Sequence, residues 1–191
     1  MSTSSCNRNC GACAEKVCPV KPEPPKETVR RNIINLLVEN QPGVLARIVG
    51  LISGRGYNID TLNVGPTHDP KVSKMTVVVP GDARVIEQVI AQLGKQINVL
   101  GVTNVTSRPH LHRELILVEV AASAENRAQL MEIATLFKAH IVGVQTETVT
   151  IQMIGDENTV ADFMQLLVPY KVLDMSRSGV IAVVRDGSGT V

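Results

Sequence analysis

Two rhythms of apolar residues alternate along this chain from Val29 onward. Residues 29–39 (VRRNIINLLVE) are aliphatic and β-branched, the composition of a mostly buried strand. Asn40-Gln41-Pro42-Gly43 interrupts that run. Val44, Leu45, Ile48, Val49 and Ile52 then recur at helical spacing and form one apolar stripe. Asn40 suits a helix cap, Pro42 a first-turn position, and Gly54 and Gly56 a helix end with positive φ. A strand is predicted over Tyr57–Val64. The turn cluster Gly65-Pro66-Thr67-His68-Asp69-Pro70 and a third strand over Val72–Val79 follow. Gly81-Asp82 opens a second helix with the stripe Val85, Ile86, Val89, Ile90 and Leu93, and Val99–Thr106 closes the unit as a strand.

The same order then recurs. Leu115–Val120 reads as a strand, and Ser123 as the cap of a helix carrying Leu130, Ile133, Ala134 and Phe137. Ile141–Thr146 and Val149–Ile154 read as two strands. Asp156 or Asn158 starts a helix with Val160, Phe163, Met164 and Leu167, and Val172–Met175 and Val180–Val184 end the chain as strands. A repeat of element order every ~80 residues argues two like-folded domains. The economical fold is α+β: two tandem ferredoxin-like βαββαβ domains with antiparallel sheets, over 29–108 and 109–191. In such a unit the helices cover one sheet face, and an aliphatic sheet with an open edge tends to associate. A homodimer is therefore expected, with sheets joined edge to edge or face to face.

Composition narrows the function. The chain has 191 residues, with 19 Lys plus Arg against 18 Asp plus Glu, so it carries no basic footprint for nucleic acid. Aromatic residues are 2% and Trp is absent, which also removes the stacking platforms that grip single strands. No apolar run reaches the ~18 residues needed to cross a bilayer, and no secretory h-region precedes residue 29, so a cytoplasmic protein with reduced thiols is expected.

Residues 1–28 differ from the rest. They hold Cys6, Cys10, Cys13 and Cys18 in a C-x3-C-x2-C-x4-C pattern, and the proline-rich run 19–25 that reads as an extended spacer. Two readings of this head stand open. It is either a flexible Cys/Pro-rich segment with reduced thiols, or a thiolate set for zinc or an iron–sulfur cluster.

The segment from Glu39 to Leu45 carries the most specific chemistry. It joins a strand to the start of a helix, where unpaired N–H groups and the helix dipole favour an anion. Gly43 lets a ligand approach the backbone, and the Asn40 amide both donates and accepts. That chemistry matches the carboxylate and ammonium of a free amino acid. The alternative is an ordinary turn, with Asn40 as cap and Gly43 as hinge.

The stretch NLLVENQPGVLARIVGLISGRGYNIDTLNVGPT (35–67) resembles the first ACT domain of acetolactate synthase (acetohydroxyacid synthase) small subunits. Further matches are Ser73-Lys74-Met75-Thr76, His112-Arg113-Glu114-Leu115 and Ser176-Arg177-Ser178-Gly179-Val180, in family order from about Val29 to about Arg185. The resemblance implies a non-catalytic regulatory subunit. Such a subunit activates a catalytic large subunit that uses thiamine diphosphate, Mg and in some cases FAD, and makes it sensitive to branched-chain amino acids, valine foremost, in their biosynthesis. It also implies a valine site between two N-terminal ACT domains, with Asn40, Gly43 and Asn58 as the matching positions. Gln41, Pro42, Val44 and Leu45 would line the same pocket. Leu45 and Ile59 either contact a branched side chain or pack in the core. Asn58 either binds the ligand or holds a left-handed turn after Gly56. The cysteine head has no counterpart in the family pattern.

No catalytic constellation accompanies these motifs. The chain shows no thiamine-diphosphate signature, P-loop or G-x-G-x-x-G sequence, and Gly54-Arg55-Gly56 leaves a helix instead of entering one. His110 and His112 stand two apart at a strand start and read as a solvated inter-domain pair, with metal binding as the alternative, and Arg113 and Glu114 stand beside them at a domain junction or charged strand edge.

Overall fold

The computed structural model describes residues 30–185. The cysteine head and its proline-rich spacer lie outside these residues. The chain builds two βαββαβ units in succession. The first runs β1 (Arg30–Glu39), α1 (Val44–Ser53), β2 (Thr61–Pro66), β3 (Val72–Gly81), α2 (Ala83–Leu93) and β4 (Val99–Asn104). The second runs β5 (His110–Ala121), α3 (Arg127–Leu136), β6 (His140–Val144), β7 (Thr148–Gly155), α4 (Glu157–Leu167) and β8 (Val172–Arg177), with β9 (Ile181–Val184) added at the end. Strand order is β2-β3-β1-β4 in one sheet and β6-β7-β5-β8 in the other, every pairing antiparallel.

Alternation within each strand decides which face becomes core. Ile34, Leu36 and Val38 of β1 and Met75, Val77 and Val79 of β3 meet Val44, Ile48 and Ile52 of α1 and Ile86, Val89 and Leu93 of α2. Ile116, Val118 and Val120, with Val149, Ile151 and Met153, meet Leu130, Ala134, Val160, Phe163 and Leu167 in the same way. Phe137 and Phe163 stack edge to face with centroids 5.3 Å apart. Both second helices begin on a Gly-Asp pair: Asp82 Oδ1 accepts from Val85 N–H at 2.7 Å and Asp156 Oδ1 from Thr159 N–H at 2.9 Å.

Five local expectations give way. The N-cap of α1 is Gly43, not Asn40, and Pro42 precedes the helix in a turn. Gly54 keeps right-handed φ of −64°, leaving Gly56 at +78° as the left-handed residue. Asn126, not Ser123, occupies the cap position of α3, although Arg127 N–H still reaches the Ser123 carbonyl at 3.1 Å. Residues 57–60 are loop, and β2 begins at Thr61.

The second face of the first sheet is where the two units meet. The first four residues of β5 extend beyond the second sheet and pair with β9, from His110↔Val184 to Arg113↔Ile181. This ribbon lies against the side of the first sheet that α1 and α2 leave open. Asn35, 7% exposed, donates from Nδ2 to the Ala182 carbonyl at 2.9 Å and accepts from Thr76 Oγ1 at 2.9 Å. Asn63 Nδ2 donates to the Ser178 carbonyl at 3.2 Å. Gly179 has φ of +73°, and a Cβ there would sit 3.3 Å from that of Thr61. Replacing Asn35 by Ala leaves the Ala182 carbonyl and the Thr76 hydroxyl without this buried partner. Asn35→Ala is expected to lower stability by about 1–3 kcal/mol in urea denaturation.

Candidate functional site

The loop before α1 is held from beneath and open from above. Asn40 N–H donates to the Lys71 carbonyl at 2.7 Å, and Asn40 Nδ2 to the Pro70 carbonyl at 2.9 Å, which ties the loop to the turn before β3. On the other side Asn98 donates from Nδ2 to Glu39 Oε2 at 2.6 Å and accepts from Arg47 Nη1 at 2.5 Å. Asn40, Gln41, Pro42 and Gly43 are all exposed. Gly43 sits at φ +84°, and nothing lies within 4 Å of the Cβ it lacks. Val44 N–H makes a long bond of 3.4 Å to the Gln41 carbonyl. The N–H groups of Leu45 and Ala46 meet no acceptor among the described residues, and no side chain caps the helix. An exposed helix start of this kind, with a bare glycine at its mouth, accepts a carboxylate.

The remaining candidates divide. Val44 is buried in the core, whereas Leu45 is 43% exposed and points outward. Ile59 packs on the first core cluster. Asn58 is exposed, has negative φ, and donates from Nδ2 to Asp60 Oδ1 at 3.1 Å, so it is not a left-handed turn residue.

Position matters more than these contacts. Asn40 and Gly43 stand at the end of β1 and the start of α1, while Asn58 follows the far end of α1, beside the beginning of β1. Ten helical residues separate the two groups by about 15 Å, and the length of β1 amounts to roughly 30 Å. One chain therefore cannot close both groups on one small molecule.

Beside Asn58 lies a cleft between the units of about 480 Å³, lined by Arg31, Asp60, Thr61, Glu114, Glu157 and Arg177 among others. Glu114, 2% exposed, takes a bidentate grip from Arg177, at 2.8 Å from Nε and 2.6 Å from Nη2. The hydrogen bonds to that carboxylate raise the Arg177 pKa above its ordinary value. Ser178 locks the same corner through its N–H to the Leu115 carbonyl and its Oγ, which accepts from Leu115 N–H. The motifs His112–Leu115 and Ser176–Val180 thus meet as one structural corner. Arg31 Nε donates to Asp60 Oδ2 at 3.0 Å, and Arg31 Nη1 to Glu157 Oε1 at the head of α4. Sequence reasoning passed over Arg31, Asp60 and Glu157, because partners 29 and 126 residues apart leave no spacing signal.

His110 and His112 stack obliquely at 5.4 Å on the ribbon. Burial, followed by the neighbouring His110, holds the His112 pKa below the ordinary histidine value, partly opposed by Asp156. The N–H and hydroxyl of Thr159 hold Asp156 below the usual carboxylate range. No group of three or more His, Cys, Asp or Glu side chains among the described residues is placed to hold a metal ion. No helix among them is long and apolar enough to cross a membrane.

Two ferredoxin-like units, each with a strand-to-helix loop after its first strand, define a tandem ACT-type protein. The chain belongs to the acetolactate synthase small-subunit family: residues 34–101 match the AHAS small subunit-like ACT domain and residues 113–186 the small subunit of acetolactate synthase. It is 42% identical to the acetolactate synthase small subunit of Aquifex aeolicus, over 91% of each chain. It is 43% identical to the probable acetolactate synthase small subunit of Archaeoglobus fulgidus, over 81% of this chain and 97% of that one. The crystal structure of the acetolactate synthase small subunit from Thermotoga maritima superposes with a TM-score of 0.76 at 29% identity, covering 82% of this chain and 98% of that one.

Gly43 has open space for a methyl group but an unfavourable backbone for it. Gly43→Ala is expected to cost about 1–2 kcal/mol from left-handed strain alone, read as a lower Tm with no loss of helix content in circular dichroism.

Proposed function

We propose that this chain is the regulatory subunit of acetolactate synthase. It activates a separate catalytic large subunit and relays feedback inhibition by branched-chain amino acids, valine foremost. The thiamine diphosphate, Mg and any FAD belong to that partner, and the assembly works in the cytoplasm. Family membership supports the setting. The observation that supports the effector site is the placement of its residues at opposite ends of α1.

Two chains paired about a two-fold axis, with their α1 helices side by side and antiparallel, bring the α1 start of one chain to the Asn58 loop of the other. The amino-acid carboxylate then sits on the Leu45 and Ala46 N–H groups at Gly43, with Gln41 and Pro42 on the wall of the site. The ammonium meets the amide oxygens of Asn40 and Asn58, which accept no hydrogen bond among the described residues. Leu45, exposed at the helix start, offers a branched side chain its apolar contact, and Ile59 and Val44 support the floor from the core. The exposed Val64 on β2, an edge strand of the first sheet, supports pairing along the same side of the unit. Each two-fold pair holds two equivalent sites.

Two measurements test this. Sedimentation at micromolar concentration is expected to give a dimer or a multiple of one, and a strict monomer refutes the shared site. In calorimetry the wild-type chain is expected to bind L-valine, whereas Asn40→Ala and Asn58→Ala weaken binding about tenfold or more, in line with the ~1–3 kcal/mol cost of losing a polar partner. Both variants should desensitise the assembled enzyme to valine while leaving its activity without valine near the wild-type level. Full valine inhibition in both would overturn the assignment.

A further inference from the structure

We infer that Arg31 is the positioning residue that couples the amino-acid site to the second unit, by sharing its guanidinium between Asp60 beside that site and Glu157 at the head of α4. The inference rests on the effector reading of Asn58 given above and adds to it a route by which occupancy is passed on.

The route is a continuous row of hydrogen bonds. Asn58 Nδ2 donates to Asp60 Oδ1 at 3.1 Å, Asp60 Oδ2 accepts from Arg31 Nε at 3.0 Å, and Arg31 Nη1 donates to Glu157 Oε1. Three of these residues are in the first unit, and Glu157 is the first residue of α4 in the second. Covalent connection cannot carry the signal so directly, since 126 residues separate Arg31 from Glu157.

The cleft contains two ion-paired groups with different characters. Arg177 grips a carboxylate that is 2% exposed and is fixed by two bonds. Arg31, Asp60 and Glu157 keep 35%, 26% and 46% of their side-chain surface in water. Partly solvated pairs of this kind are weak one by one, so a modest change at one partner redistributes them. The Arg177 pair is fixed by two bonds to a buried carboxylate, and the Arg31 pair, which has no buried member, is the adjustable one.

An effector ammonium that draws the Asn58 amide oxygen toward itself turns the side chain and pulls its Nδ2 away from Asp60. Asp60 then carries one donor fewer, and its charge draws Arg31 more strongly. Arg31 releases its hold on Glu157, and the first turn of α4 loosens from the first sheet. Effector binding and attachment of the second unit are thereby made to oppose one another, as reciprocal coupling requires.

Hydrogen exchange on the full chain, with calorimetry on the same samples and L-valine as the probe, tests the route. In the wild type, saturating valine is expected to speed exchange of the Thr159 and Val160 N–H groups about fivefold or more, the lower range of ordinary site-to-site coupling. By reciprocity Arg31→Met and the milder Glu157→Gln should bind valine as tightly as wild type or up to about fivefold more tightly. Both should exchange fast at these positions without valine and show no further change with it. Valine binding that leaves α4 exchange unmoved in the wild type, or a valine response that persists in both variants, overturns the coupling role alone. No binding heat in the wild type overturns the effector site and the coupling together.

Discussion

A β-sheet with helices on one face must do something with the other, and in the first unit that requirement organises the molecule. The open face carries Asn35 and Thr76, polar residues at positions that strand alternation turns away from the helices. They are buried only because the β5–β9 ribbon lies over them, and they remain tolerable there because Asn35 finds the Ala182 carbonyl. An unpaired amide under an apolar cover would cost more than the cover gains. The contact is therefore selective: the ribbon docks in the register that presents a carbonyl, and the second unit follows it into place. The Asn63–Ser178 bond and the close approach of Gly179 to Thr61 depend on the same placement.

Much of this was legible in the residues, and the failures share a cause. Period-two and period-3.6 patterns located the helices and strands of the described residues because most of them bury one face, β8 with six exposed residues being the exception. The cap of α1 was misplaced because Asn40 had a better use: its side chain ties the loop to Pro70, a contact across 30 residues that no local rule anticipates. Ser123 lost its expected place because a turn over 124–126 delays α3 until Arg127. β9 was visible as a strand, but its partner was not, since pairing with the first four residues of β5 makes it part of the covering ribbon and not of a second-unit edge. The ion pairs in the cleft were invisible for the same reason. Charges read in one dimension look like solvated decoration, and only the docking of α4 brings Glu157 to Arg31.

The candidate loop shows a related division. Its chemistry, a bare glycine and unpaired N–H groups at a helix start, follows from local sequence and is present in the fold. The second amide of the proposed site does not, because Asn58 lies at the far end of the unit. Distance along α1 turns a question about one chain into a question about symmetry. A ligand small enough to fit the loop is too small to reach Asn58 of the same chain. The outward-facing Leu45 lies on the helix surface that the proposed dimer would cover.

The shared strand β5 has a consequence for how such proteins can be recombined. It starts in the ribbon that shields the first sheet and ends as the central partner of β7 and β8 in the second. The border between the units in space is thus not the border in sequence. A graft cut cleanly before His110 would carry away the lid of the donor's first module and seat an alien strand on its polar face. Exchange of regulatory modules between relatives would have to move Asn35, Thr76, the start of β5 and β9 as one inherited block.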